Sequence, residues 1–195
     1  MIPQIDLARQ HGALRAELVA AAERVLASCR FILARRSGGA ERSWPRSAAP
    51  VTASVNSGTD ALVLALEAVG VRPGDEVITP SFSFVASASA VADGARPPVF
   101  VDIDPGHVQP RPRAGGAGCD APDARHRGRC TSTGSPPPWT RSPTSPARGL
   151  AVVEDAAQAV GAPMPAGRPV SWGDARPLSF YPTKNLAPAA TAAWC

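Results

Sequence analysis

Leu150-Ala151-Val152-Val153-Glu154-Asp155-Ala156-Ala157-Gln158 is an apolar run that ends on two carboxylates. A short apolar run bounded by polar residues reads as a buried strand. Glu76-Val77-Ile78-Thr79 and Pro98-Val99-Phe100-Val101-Asp102 have the same form. Helical spacing fills the sequence before and between them. Leu14, Leu18, Ala22, Val25 and Leu26 mark an amphipathic helix over residues 6–30. Leu62, Ala65, Leu66 and Val69 form one face of a second helix, with Asn56-Ser57-Gly58-Thr59-Asp60 at its start. Pro73-Gly74-Asp75 reads as a turn, and the small apolar residues 82–92 as a buried helix. Strands alternating with helices predict an α/β fold, a parallel-rich sheet with helices on both faces. Ligands of such sheets bind beyond the carboxyl ends of the strands. Asp102 and Asp155 both stand at such ends.

The next informative stretch is Ser179-Phe180-Tyr181-Pro182-Thr183-Lys184-Asn185-Leu186. Lys184 is the one lysine in a chain with nineteen arginines. Arginine cannot replace lysine in forming a Schiff base, which needs a primary amine able to lose its proton. An aspartate at a strand end supplies the other half of a pyridoxal phosphate site, because it keeps the ring nitrogen protonated. Each residue alone also fits an ordinary surface lysine and an ordinary strand end; their order along the chain carries the reading.

Further residues fit the same site, each with a plainer alternative. Ser57-Gly58-Thr59 precedes a helix, where free backbone N–H groups and the helix dipole favour a phosphate. An ordinary N-cap explains the same residues. Phe82 or Phe84 could stack on a pyridine ring or pack in the core. Ser179, five residues before Lys184, is placed to bind phosphate near the amine. Gln158 is expected one helical turn beyond Asp155, facing the same ligand.

Composition bounds the other possibilities. The 195 residues suffice for one domain, or at most two. No apolar run reaches the roughly 20 residues that cross a membrane. The first residues lack a basic and then apolar leader, which predicts a cytoplasmic protein. Cys29, Cys119, Cys130 and Cys195 form no CxxC pair, so free thiols and no metal are expected. The net charge of +4 is unevenly placed. Residues 35–50 and 108–148 hold eleven of the twenty basic residues and three acids, Glu41, Asp120 and Asp123. The remainder carries nine basic and thirteen acidic residues, a net of −4. An arginine-rich segment raises the alternative of a nucleic-acid binder. Segment 108–148 has one aromatic residue, Trp139, and no stacking pattern, so no nucleic-acid partner is expected.

Several motifs together resemble the DegT/StrS-type nucleotide-sugar aminotransferases. They are Asn56-Ser-Gly-Thr-Asp-Ala-Leu, Pro73-Gly-Asp-Glu-Val-Ile-Thr-Pro-Ser-Phe-Ser-Phe84 and Pro98-Val-Phe-Val-Asp-Ile-Asp104. Val153-Glu-Asp-Ala-Ala-Gln-Ala159, Ser179-Phe-Tyr-Pro-Thr-Lys-Asn-Leu186 and Arg30-Phe-Ile-Leu33 complete the set. The resemblance implies the aspartate-aminotransferase fold (PLP fold type I), of which residues 1–195 would be the N-terminal part of the large domain. It implies pyridoxal 5′-phosphate as cofactor and Lys184 as the catalytic lysine, which also shuttles the proton between the cofactor's C4′ and the substrate carbon. Asp155 resembles the partner of the ring nitrogen, and Gln158 the residue near the 3-hydroxyl. Gly58, Thr59 and Ser179 resemble the phosphate cradle, and Phe84 the stacking aromatic. The implied reaction moves an amino group from glutamate or a similar donor to a keto sugar on a nucleotide. A homodimer with shared sites is implied, with no membrane partner. A sugar dehydratase of the same fold is an alternative that Lys184 opposes, since histidine replaces the lysine in that branch. A non-functional fragment of such an enzyme is another.

The resemblance lapses in 35–50, 108–148 and 187–195, and the small C-terminal domain is expected to be absent. These segments are expected to be disordered or read out of frame. In a shifted frame, Arg129–Gly134 can encode Val-His-Leu-Tyr-Gly and Ala189–Cys195 can encode Gly-Asp-Gly-Gly-Val-Val. Ser43-Trp-Pro-Arg-Ser-Ala-Ala can hide Leu-Ala-Ala-Phe-Gly-Gly in the same way. All three fall where the family carries such residues.

Overall fold

The computed structural model describes residues 6–29, 53–104, 109–110, 126–130, 151–160, 173–185 and 193–194. The chain divides into two units, Met1–Pro45 and Arg46–Cys195. In the first unit lies α1 (Leu7–Ser28), close to the span predicted from its apolar spacing. The Asp6 carboxylate accepts the Ala8 N–H at 3.1 Å and caps its start. Cys29 ends it in the left-handed region, with φ 49°. The expected motif at 30–33 and the segment 35–50 lie outside the described residues.

The second unit opens with β1 (Ser54–Val55) and α2 (Gly58–Ala68). Ser57 is extended, and its hydroxyl accepts the Asp60 N–H at 3.0 Å. That removes one of the donors a helix start leaves without an intrahelical acceptor. Leu62, Ala65 and Leu66 are buried and Val69 is half-buried, the face that the spacing marked. A turn follows, in which Gly74 takes φ +87° and the Asp75 carboxylate accepts the Arg72 N–H at 2.8 Å. Then come β2 (Val77–Pro80), α3 (Val85–Asp93) and β3 (Pro98–Val101). β4 (Ile103–Asp104) and β5 (Gln109–Pro110) form a small antiparallel pair. The chain continues through β6 (His126–Cys130), β7 (Ala151–Asp155), β8 (Leu178–Ser179) and β9 (Ala193–Trp194).

The main sheet has the order β3-β2-β6-β7, and all three pairings are parallel. Its carboxyl ends therefore share one edge, where Ser81, Asp102 and Asp155 emerge. One core joins sheet and helices: Leu62, Ala65 and Leu66 of α2, Val77 of β2, Ala86, Ala90 and Val91 of α3, and Val153 of β7, with Val71. The small residues of α3 allow this close packing, since each alanine brings a helix backbone nearer to the sheet. Helix 82–92 is less buried at its start than the composition suggested. Phe82, Phe84 and Val85 are exposed, and burial begins at Ala86.

β6 occupies an interior position, with His126 opposite Val77 and Ala151, and Cys130 opposite Asp155. Its sequence, His-Arg-Gly-Arg-Cys, has none of the apolar character of an interior parallel strand. Sequence patterning assigned no element to 108–148, yet β5 and β6 lie inside that segment, as β9 lies inside 187–195. A main-chain ladder needs only N–H and C=O groups, so it can form where the side-chain pattern is silent. The other residues of these segments lie outside the described residues.

Residues 174–177 run beside β7. Glu154 N–H bonds Ala175 C=O at 2.9 Å, and Ala156 N–H bonds Pro177 C=O at 3.0 Å. The Asp174 carboxylate accepts the Val152 N–H at 2.7 Å. Arg176 and Glu154 form an ion pair at 3.4 Å with both side chains largely buried. This run delivers the chain into β8, which pairs antiparallel with β9, as β9 does with β1.

Candidate active site

Asp155 is the last residue of β7 and is buried at the carboxyl edge of the sheet. Its two oxygens are bonded separately. Oδ1 accepts the Ala157 N–H at 3.2 Å, and Oδ2 accepts the Ser87 hydroxyl at 2.6 Å. The 2.6 Å oxygen–oxygen distance is at the short end of the range for hydroxyl bonds.

Lys184 lies in the turn after β8 and is half-buried. Its N–H bonds the Tyr181 C=O at 2.8 Å, closing the turn. Its Nζ stands 5.8 Å from the centre of the Phe84 ring, within cation–π range. Phe84 caps α3 and is 70% exposed, so it presents a ring face instead of filling the core. Phe82 is also exposed. The next residue, Asn185, ties the lysine turn to the segment after β7. Its Nδ2 donates to Val160 C=O at 3.0 Å and Gln158 C=O at 3.4 Å. Asp155 and Lys184 thus sit on neighbouring stretches of backbone joined by side-chain bonds.

Gly58 and Ser179 meet at the other end of the lysine segment. A Cβ on Gly58 would stand 2.9 Å from Ser179 Cβ and 3.0 Å from its Oγ, closer than real atoms pack. Only glycine lets the start of α2 approach this buried serine. The Ser179 hydroxyl accepts the Tyr181 N–H at 3.3 Å. The first N–H groups of α2, at Gly58 and Thr59, have no intrahelical acceptor, since the first i→i−4 bond runs from Ala61 to Ser57 at 2.9 Å. N–H groups, helix dipole and a hydroxyl together suit an anion.

Gln158 departs from expectation in its setting. Residues 157–158 form a turn, closed by Ala159 N–H on Ala156 C=O at 2.9 Å, and the Gln158 side chain is exposed. Residues 156–160 hold no helix; there Asp155 Oδ1 accepts the Ala157 N–H and Asn185 Nδ2 donates to the Gln158 and Val160 carbonyls. Thr59 is half-buried and Asp102 exposed. Ser87 and Asn185 were not singled out as site residues by the sequence. Ser87 has no distinct signal in the sequence, since Ser81, Ser83 and Ser89 stand close to it in the chain.

The model of the DegT/DnrJ/EryC1/StrS aminotransferase family matches residues 46–115 and 144–191. The chain belongs to this family. A dTDP-3-amino-3,4,6-trideoxy-alpha-D-glucose transaminase of Streptomyces venezuelae is 37% identical over 203 residues, covering 95% of this chain and 49% of its own. A UDP-2-acetamido-2-deoxy-3-oxo-D-glucuronate aminotransferase of Pseudomonas aeruginosa is 34% identical over 198 residues, covering 95% and 52%. The chain spans about half the length of these curated relatives. Among solved structures, S. venezuelae DesV in complex with a ketimine intermediate superposes with a TM-score of 0.85 at 34% identity. That match covers 99% of this chain and 52% of DesV. The fold is accordingly that of the pyridoxal-phosphate-dependent aminotransferases, here a partial α/β unit built on a parallel sheet. Among the described residues no helix is long and apolar enough to cross a membrane.

Proposed function

We propose that this DegT/DnrJ/EryC1/StrS chain carries the cofactor-binding part of an aminotransferase that acts on a nucleotide-linked keto sugar, with glutamate or a similar amino donor. The observation that carries the reading is the pinning of the lone lysine's turn, through Asn185, to the segment that follows buried Asp155. The residues suit pyridoxal phosphate on structural grounds. A glycine-only gap lies between a helix start and Ser179, a buried carboxylate ends a strand, and an amine stands over an exposed aromatic ring.

Bound pyridoxal phosphate supplies an aldehyde that captures amines and a ring that accepts an electron pair. The chain's own groups do the rest. Asp155 holds a proton at the ring nitrogen. The N–H groups of Gly58 and Thr59 and the Ser179 hydroxyl bind the phosphate. Phe84 covers one ring face, and Gln158 serves the 3-hydroxyl side. The Lys184 amine would hold the cofactor's aldehyde and would move a proton at the reacting carbon. Two copies sharing their sites are part of the same proposal.

The test is spectroscopic. Added pyridoxal phosphate should give a new absorbance band that borohydride makes permanent, with the label recovered on the peptide holding Lys184. Identical spectra for wild type and Lys184→Ala would remove the assignment. The keto-sugar reading is tested separately, by amino transfer from glutamate to a panel of nucleotide-linked keto sugars. Lack of transfer to every member would overturn it.

A further inference from the structure

We propose that Ser87 is a positioning residue for Asp155, backed by Ser83. The proposal rests on reading Asp155 as the partner of the cofactor's ring nitrogen. Ser87 lies in the first turn of α3 and is 9% exposed, while Asp155, 68 residues away, is 6% exposed. The Ser87 Oγ donates to Asp155 Oδ2 at 2.6 Å. A hydroxyl has one proton to give, and an ionised carboxylate has none. With the Ser87 proton committed to Asp155, the 3.1 Å contact between Ser83 Oγ and Ser87 Oγ has Ser83 as its donor. The result is a directed chain, Ser83 to Ser87 to Asp155, in which each hydroxyl polarises the next. Ala157 N–H holds the other carboxylate oxygen. Donors from two separate elements, one on each oxygen, fix the plane of the carboxylate.

Helix packing alone does not call for this serine. The neighbouring core positions of the same helix, Ala86 and Ala90, are filled by alanine, which carries no hydroxyl. A buried hydroxyl is unfavourable unless it is bonded. Ser87 therefore makes physical sense chiefly through the carboxylate that it orients. Its contribution to the site is indirect, because it acts on the cofactor through Asp155.

The experiment titrates pyridoxal phosphate into wild type, Ser87→Ala, Ser87→Thr and Ser83→Ala, and follows cofactor absorbance across pH. Melting without cofactor is recorded for each. Hydrogen bonds to charged groups are strong enough that Ser87→Ala should weaken cofactor binding by about tenfold or more. It should also alter the pH profile of the cofactor band. Ser87→Thr, which keeps the hydroxyl, should restore both. Ser83→Ala should move both in the same direction by less. Ser87→Ala with wild-type affinity and spectrum overturns the proposal, as does Ser87→Thr that restores neither. If Ser87→Ala does not fold, Ser83→Ala decides, and wild-type behaviour there overturns the chain of hydroxyls. Wild type that takes up no pyridoxal phosphate removes the cofactor reading itself, and the role of Ser87 with it.

Discussion

Gly58 is where a single methyl group separates two outcomes. Its missing Cβ would stand 2.9 Å from Ser179, so Gly58→Ala must push the helix start away from the serine. We expect this variant to bind pyridoxal phosphate at least tenfold more weakly, on the scale of losing one charge-assisted hydrogen bond. Its affinity for pyridoxal, which lacks the phosphate, should be nearly unchanged. Parallel titrations of the two compounds check this. Phe84→Ala should instead weaken both to a similar degree, because the ring contact does not involve the phosphate. The lone lysine, the strand-end aspartate and the glycine at a helix start each have a local signature in the sequence. Ser87 and Asn185 act across 68 and 25 residues of chain. Such contacts exist only once the sheet has formed, and no local pattern announces them.

Elements are held here by a few identifiable groups. Ser57 caps α2, and Ser57→Ala should cost about 1 kcal/mol, read from denaturant unfolding. Arg176→Ala removes the 3.4 Å ion pair to Glu154, a buried residue of β7. A loss of about 2 kcal/mol is expected in the same measurement. Strands β2, β3 and β7 and helices α1 and α2 were legible from apolar spacing to within a residue or two. β6 was not, since Arg127 and Arg129 stand where an interior parallel strand is ordinarily apolar. What defines β6 is the pair of neighbours on either side. Arg127→Val should therefore stabilise the sheet, by about 1 kcal/mol on strand-propensity scales, a reversal of the usual sign for point changes.

At the scale of the molecule, the family match skips residues 116–143, within the segment where proline and arginine accumulate. We propose that the coding sequence shifts frame across 35–50, 108–148 and 187–195. The β6 strand sits where the apolar Val-His-Leu-Tyr-Gly reading would begin, at Arg129 and Cys130. Resequencing the DNA from before residue 30 to beyond residue 195 checks it; an unshifted frame throughout would refute it. A second expectation concerns stability. Cofactor at a hundredfold its dissociation constant should stabilise the fold by about 2.7 kcal/mol, visible as a higher melting temperature. The bonds from Glu154 and Ala156 to the run at 174–177, with those of Asn185, bear on how positional error spreads through this unit. A shift of β7 along its axis carries the lysine turn with it. Errors at Asp155 and Lys184 are then correlated, and their separation varies less than the position of either one. A rigid two-ended ligand such as an aromatic ring is sensitive to that separation, so the site tolerates a sheet that is loosely placed as a whole.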